Sequence, residues 1–123
     1  MRTNSDMTLY HYDKAQKIYQ RIYIYGVFWD HVKIANVNKT GQANSDTIFV
    51  AIPASHVTSL EITVGKDLVV KGICNIAISN SSEQTQSKTI KELMDANETF
   101  TVMSHDPKLY GSPSMQHYEL SCK

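Results

Sequence analysis

Short runs of β-branched and aromatic residues, separated by polar linkers, dominate the hydrophobic pattern of this chain. Residues 18–25 alternate, with Ile18, Ile22 and Ile24 on one face and Tyr19 and Tyr23 on the other. This period of two predicts a strand with both faces covered. Similar runs predict strands over 7–12, 27–37, 46–52, 100–104 and 114–121, with a bend at Gly26 and a stop at Pro53.

Residues 61–72 are the predicted centre of the sheet. Two β-favouring runs, 62–64 and 68–70, flank Gly65-Lys66-Asp67. A short linker in which a glycine supplies a positive φ predicts a tight hairpin. Gly72 closes the second run, and another apolar run over 73–78 follows it.

Two polar stretches, 38–45 and 79–88, predict exposed loops because they contain almost no large apolar residue. Thr89 and Glu92 fit a capping box, which predicts one short helix near 90–96, with Asn97 as a left-handed stop. Turns are predicted at Asp106-Pro107 and over 110–113. The expected fold is mainly β, a small antiparallel β-barrel or sandwich with one short helix and long polar loops. It forms a single domain over 1–123, with 1–6 frayed.

The charge balance changes the functional picture. Twelve basic residues equal twelve acidic ones, so the formal net charge is zero. A dedicated nucleic-acid binder usually carries a basic excess, whereas a neutral surface favours self-association. The two cysteines are too few for a disulfide scaffold. Residues 1–12 contain no apolar segment of the kind found in secretory leaders, and the sequence has no run of about 18 apolar residues. These features predict a cytoplasmic origin, free thiols and no membrane.

Candidate catalytic and metal-binding residues do not form a recognised pattern. The five histidines lack His-x-x-x-His spacing, and Cys122 falls on the strand face opposite to Met115 and His117. Ser104-His105-Asp106 is adjacent in sequence, which does not align three side chains as a triad. The Gly111-Ser112-Pro113-Ser114 run lacks the ending of a phosphate-binding loop. The sequence therefore predicts no enzyme, no metal and no cofactor.

Several segments occur in a familiar order across nearly the whole chain. They resemble the small minor capsid proteins encoded in the head–tail modules of tailed phages and prophages of low-GC Gram-positive bacteria. The segments are Met7-Thr8-Leu9-Tyr10, Gly26-Val27-Phe28-Trp29, residues 46–53, residues 65–72 and the ending over 110–120. The ending, with Gly111-Ser112 followed by Met115-Gln116-His117 and an aromatic residue, is the most specific part. This chain departs from that pattern in having Tyr118 rather than Trp, and a shorter connector between Pro53 and Gly65.

The resemblance implies a stopper-like head-completion protein in the virion, made in the host bacterial cytoplasm. Such proteins form a ring, with six-fold symmetry favoured here over twelve-fold. The ring lies below the portal and adaptor proteins, contacts the tail terminator or tail tube, and closes the channel after packaging. Double-stranded DNA in the lumen is then contacted without sequence readout.

Within this interpretation the first polar loop is the predicted lumen gate: Asn38, Lys39, Thr40, Gly41, Gln42, Ala43, Asn44 and Ser45. An alternative interface loop contains Ser81, Ser82, Glu83 and Gln84. Eight residues are predicted to be structural: Trp29, Gly65, Asp67, Gly72, Gly111, Met115, His117 and Tyr118. Tyr118 and Leu120 are expected to contact the core.

Two other functions stay open. One is a tail terminator or tail-tube-associated protein of the same virion. The other is a small barrel that binds single-stranded nucleic acid, with Tyr23, Tyr25, Phe28 or Trp29 as stacking platforms.

Overall fold

Six antiparallel strands close into a barrel in the order β1-β2-β3-β6-β5-β4. The computed structural model describes residues 3–34, 45–58 and 60–123. The elements are β1 (Ser5–Asp13), β2 (Ile18–Ile34), β3 (Ser45–Pro53), β4 (Leu68–Lys71), α1 (Glu83–Ala96), β5 (Thr99–Lys108) and β6 (His117–Cys122), with short 3-10 turns at Ala54–His56 and Pro113–Met115. The prediction of a small, mainly β antiparallel barrel with one helix is confirmed.

Strand β2 replaces two predicted strands. Its first half pairs with β1, from Ile18 opposite Asp13 to Val27 opposite Ser5, and its second half pairs with β3 from Phe28 onwards. Gly26 lies where β2 passes from one partner to the other, and has a φ of +78°. A Cβ at this position would lie 2.9 Å from the His56 ring. The predicted bend at Gly26 is therefore real, but the strand continues through it.

The barrel interior is the main hydrophobic core. It contains one face of each strand: Met7, Leu9, Ile24, Val27, Trp29, Ile48, Val50, Ile52, Val69, Val102, Leu120 and Cys122. Residues from the connector after β3 cover this core, because Val57, Leu60 and Ile62 pack against it. Leu120 is fully buried and Tyr118 packs against the same core while half-exposed.

A second core lies outside the barrel, between the outer face of the β1–β2–β4 sheet, the segment 73–80 and α1. Tyr10, Leu68 and Val70 face it from the sheet, while Cys74, Ile78 and Leu93 close it. The alternation of Leu68, Val69 and Val70 between the two cores explains why β4 is apolar on both faces.

The segment 73–78 is not a strand, although its composition favours one. Side chains of the sheet bind its carbonyl groups instead of a neighbouring backbone. Tyr10 Oη donates to the Ile76 carbonyl at 2.6 Å, Arg21 to that of Asn75 at 2.6 Å, and Tyr23 Oη to that of Cys74 at 3.2 Å. Since these bonds satisfy the segment's acceptors, it can lie across the sheet without extending it.

The predicted central hairpin is wrong in one arm. Residues 62–64 form no strand, and β4 pairs with β1 and β5 instead. The Thr63 N–H donates to Asp67 Oδ2, and the Thr63 carbonyl accepts from the amides of Lys66 and Asp67. These bonds close the chain onto itself as a turn, so the backbone of Thr63 is not available to a ladder. The positive φ predicted for Gly65 is present at +84°.

The helix α1 begins at Glu83, six residues before Thr89, which was the predicted N-cap. Ser82 is the N-cap and accepts from the Thr85 amide at 3.1 Å, which extends α1 through most of the predicted 79–88 loop. Thr89 lies inside the helix, where its hydroxyl donates to the Thr85 carbonyl. Asn97 does end the helix, but in an extended conformation at φ −140° rather than a left-handed one.

The C-terminal region also differs from the prediction. Strand β5 continues through Asp106 and Pro107, where a turn was expected, because Pro107 lies opposite Tyr118 in a paired ladder. The last strand starts at His117, and Met115 belongs to the preceding 3-10 turn. Met115 and His117 therefore do not share a strand face. Among the described residues, no helix combines the length and apolar character needed to cross a membrane.

Candidate functional site

Asp67 is the most constrained charged residue of the described chain. Its side chain is fully buried, and three groups donate to it: the Tyr12 amide at 2.7 Å, the Thr63 amide at 3.0 Å and His11 Nδ1 at 2.9 Å. Buried carboxylates are retained when such donors compensate the loss of water. Because the donors come from β1 and from the connector that covers the barrel, Asp67 fastens this cover to the sheet.

His11 continues this network to the surface. Its second ring nitrogen, Nε2, lies 4.0 Å from Glu61, which is exposed. Both residues line a cavity of about 280 Å³ whose other walls include Ile22, Val57 and Leu60. A histidine oriented by a carboxylate is a common metal ligand, but no group of three potential ligands converges anywhere in the described residues. The geometry here supports a structural link between cover and barrel.

A concave surface lies at the C-terminal end of α1. This groove of about 540 Å³ is lined by Asp95, Asn97, Glu98 and Phe100, together with His31, Met94, Ala96 and Thr99. An adjoining cavity of about 420 Å³ extends it to Trp29, Val70 and Lys71. The ring of Phe100 meets those of Trp29 and His31 edge-on, each at 6.1 Å between ring centres. The groove therefore has an aromatic floor beside two carboxylates.

The backbone of α1 also makes the electrostatic potential of the groove negative. The last turn of α1 carries no basic residue, and Asp95 lies in it. The C-terminal end of a helix presents partial negative charge, which an acidic residue there reinforces. Within the described part of the chain, neither Asp95 nor Glu98 has an ion-pair partner. Lys71 is the basic residue on the rim of the adjoining cavity.

A smaller apolar patch lies at the connection between β5 and β6. Tyr110 is 71% exposed and Met115 66% exposed, and both line a cavity of about 290 Å³ with Lys108, His117 and Glu119. Lys108 forms an ion pair with Asp106 at 2.8 Å. Exposed large apolar side chains of this kind are typical of contact surfaces.

The predicted gate falls mostly outside the described residues. Residues 38–44 are not among them, and Ser45 is the first residue of β3. The alternative loop is not a free loop. Ser82 caps α1, and Glu83 and Gln84 belong to its first turn.

The predicted structural residues lie in four different places. Trp29 is buried inside the barrel, and Gly65 belongs to the turn beside Asp67. Gly72 follows β4 at a φ of +81°, and its carbonyl accepts from the Thr8 hydroxyl.

The other predicted structural residues lie near the apolar patch at the connection between β5 and β6. Gly111 has a φ of +85° in the connection between β5 and β6. His117 Nδ1 lies 2.9 Å from the Met115 carbonyl, and Tyr118 stacks on His105 with 5.8 Å between the rings. Met115 itself is exposed. Sequence reasoning missed His11 and the groove residues, because their partners are distant in the chain.

The sequence run Ser104-His105-Asp106 does not form a triad. His105 Nε2 is buried without a hydrogen-bond partner, and burial lowers the pKa of this imidazole. The Asp106 carboxylate is engaged by Lys108. The ring of His105 packs against Tyr118, and the unsatisfied ring nitrogen of the neutral imidazole lowers the stability of the fold at this position.

The four aromatic residues considered for base stacking are in unequal positions. Trp29 is buried, Phe28 is half-buried, and the Tyr23 hydroxyl is engaged by the Cys74 carbonyl. Tyr25 alone of these four is well exposed, at 61%. A stacking platform normally needs several exposed rings along a basic groove.

The chain belongs to a family of unknown function, DUF6751, whose model matches residues 2–123. No curated protein and no solved structure matches the sequence. The description of this family assigns no activity to it.

Proposed function

We propose that this protein is a structural component of the head–tail junction of a tailed phage. In this role it is a ring-forming head-completion protein that closes the portal channel after DNA packaging and offers a docking face to the tail. The basis is the resemblance carried by residues 7–10, 26–29, 46–53, 65–72 and 110–120, which spans most of the chain.

The structural observation that supports this function best is a ribbon that projects from the closed barrel. Strands β2 and β3 stay paired as far as Ile34 opposite Ser45. The pairing of β3 with β6 ends earlier, at Ile48 opposite Cys122. The last three β2–β3 pairs therefore extend beyond β6, which at about 3.3 Å per residue is roughly 10 Å. A rigid barrel with a projecting two-stranded arm is a suitable shape for a subunit that surrounds a channel.

The charge properties agree with a channel that DNA must cross. The formal net charge is zero, and a lining without a basic excess does not retain phosphates strongly. The expected partners are other copies of the chain, the portal and adaptor proteins above, and the tail terminator or tail tube below. Double-stranded DNA in the lumen would be contacted without reading its sequence.

Deletion of the reading frame from the phage or prophage that encodes it tests this function. We expect heads without tails that lose their packaged DNA, since nothing closes the channel. Electron microscopy scores joined particles, and nuclease-resistant DNA in purified heads scores retention. Expression of the intact protein from a plasmid should restore both, and normal particles after deletion would refute the proposal.

The position in the particle gives an independent check. A reconstruction of the virion should show several copies of the barrel around the channel between portal and tail. A single copy, or no density for the barrel at the junction, would contradict a ring. Density lower in the neck, at the end of the tail tube, would identify the tail-terminator alternative instead.

A further inference from the structure

The turn between β1 and β2 is a basic tip. Its four residues, 14–17, are all exposed and include Lys14 and Lys17. The neighbouring Asp13 carboxylate accepts from the amides of Ala15 at 2.9 Å and Gln16 at 3.4 Å, so the turn and this flanking acid carry two positive charges against one negative charge. Within the described chain, neither lysine side chain has an ion-pair partner.

A third cation lies next to the tip. Lys66 Nζ is 5.8 Å from the centre of the Tyr12 ring, which contacts Tyr19 across the strand pair that ends in this turn. The Tyr19 hydroxyl also donates to the Lys66 carbonyl at 3.2 Å. Three exposed ammonium groups therefore surround one end of the molecule.

The basic tip and the acidic groove lie at opposite ends of α1. Gln86, in the first turn of the helix, donates to the Lys17 carbonyl at 3.1 Å, whereas Asp95 lies in the last turn and Glu98 just beyond it. The helix has 14 residues, so its ends are about 20 Å apart at 1.5 Å per residue. The net charge of zero thus hides a separation of charge along the molecule.

We infer that copies of this protein associate head to tail, with the basic tip of one copy bound in the acidic groove of the next. This inference rests on the proposed ring function and specifies the contact that closes the ring. The two surfaces lie near opposite ends of α1, which keeps them from meeting within one chain. A second copy is the occupant that the structure favours, because each chain carries both complementary halves.

The chemistry of the groove suits a lysine side chain. Asp95 and Glu98 provide two carboxylates for the ammonium group, and the end of α1 adds partial negative charge. The exposed His31 ring and the Phe100 ring offer aromatic surface to the lysine stem, and cations are attracted to aromatic faces. Contacts between two different surfaces of identical copies propagate, and form a closed ring when the rotation between neighbours permits it.

Sedimentation velocity of the intact protein at low and high salt tests the contact. At about 0.01 M salt the screening length is about 30 Å, and at 1 M about 3 Å. We therefore expect the wild-type protein to self-associate at low salt and to sediment as a monomer at high salt. Reversing the tip with K14E and K17E, or the groove with D95K and E98K, should weaken association at least about tenfold, because like charges then face each other.

Mixing the two variants is the decisive arm. In an equimolar mixture, the acidic tip of one variant meets the basic groove of the other, and the basic tip meets the acidic groove. Both contacts are restored, so the mixture should associate although each variant alone does not. The matched control is K88E with K91E, which makes the same charge change at exposed positions of α1. This control should not weaken association as much as the tip variant does.

Each outcome decides the question. A wild-type protein that stays monomeric at low salt, or a mixture of two folded variants that does not associate, overturns the inference. The same holds if the control weakens association as much as the tip variant. The deletion experiment judges the proposed function separately: tailless heads with a monomeric purified protein leave the function standing and the contact refuted. Salt-sensitive association together with normal particles after deletion would refute the function and leave the contact standing.

Discussion

Replacing Asp67 by asparagine should destabilise the protein strongly although the two side chains have the same shape. The carboxylate accepts from the Tyr12 amide at one oxygen and from the Thr63 amide and His11 at the other. An asparagine has only one acceptor oxygen, so its NH₂ group must face at least one of the two backbone N–H groups. That donor is left without an acceptor beside a side chain that is fully buried.

The magnitude follows from these bonds. A hydrogen bond to a charged group contributes about 1.5–3 kcal/mol, and leaving a buried donor unsatisfied costs about 1–3 kcal/mol. We expect D67N to lower the free energy of unfolding by about 2–4 kcal/mol. For a chain of this size, each kcal/mol lowers the melting temperature by roughly 3–6 °C.

The assay is urea unfolding of D67N beside the matched variant E61Q. Glu61 is the other carboxylate near His11, but its side chain is 86% exposed and lies 4.0 Å from the ring. Exposed pairs of this kind contribute about 0–1 kcal/mol, so E61Q should behave like the wild type. If D67N and E61Q unfold at the same urea concentration with unchanged slopes, Asp67 does not hold the cover on the barrel.

Three further predictions concern other parts of the fold. Burial raises the pKa of the Cys122 thiol to about 12, so this thiol should react with a disulfide reagent at pH 8 only as fast as the protein opens, and at the free-thiol rate in denaturant. Burial lowers the pKa of His105 below its usual 6.5, so the unfolded chain binds more protons than the folded one. The free energy of unfolding should therefore fall as the pH drops below about 6.5. Urea titrations at pH 7 and pH 5 should show a smaller fall for H105F than for the wild type. Tyr118→Ala should lower the free energy of unfolding in urea by about 1–3 kcal/mol, because the ring is half-buried against the core. Tyr25→Ala, at an exposed position, should lower it by less than about 0.5 kcal/mol. Equal effects would show that Tyr118 contributes no core contact.

The strands could be predicted where hydrophobic alternation has one dominant partner. Residues 18–25 form a strand as predicted, with Ile24 in the barrel core and the side chains of Arg21 and Tyr23 bound to the segment 73–80. The prediction that both faces are covered is wrong in part, because Gln20, Ile22 and Tyr25 are exposed. The apolar run 68–70 is likewise a strand between two cores. The division at Gly26 was wrong because a single left-handed glycine can redirect a strand without ending its pairing.

Two of the errors have one physical cause, which is that side chains bind the backbone groups that a strand would use. Residues 73–78 have strand composition, yet Tyr10, Arg21 and Tyr23 bind their carbonyl groups from about 50 to 66 residues away. Residue 63 has its amide bound by Asp67 instead of a strand. Thr89 fits a capping box as well as Ser82 fits an N-cap. The bonds of Asn80 to Tyr19 in β2 and of Gln86 to Lys17 in the β1–β2 turn favour the earlier start.

The groove and the tip could not be predicted from local sequence, because neither is a motif. The groove gathers Trp29, His31, residues 70–71 and residues 94–100, which are distant in the chain and meet only in the fold. The lysines of the tip are ordinary turn residues until the Gln86–Lys17 bond places them beside the start of α1. A net charge of zero, taken from composition alone, argued against a nucleic-acid binder and favoured self-association. The fold separates those charges along α1, so the same composition supports a directional contact between copies and predicts that the contact weakens as salt is added.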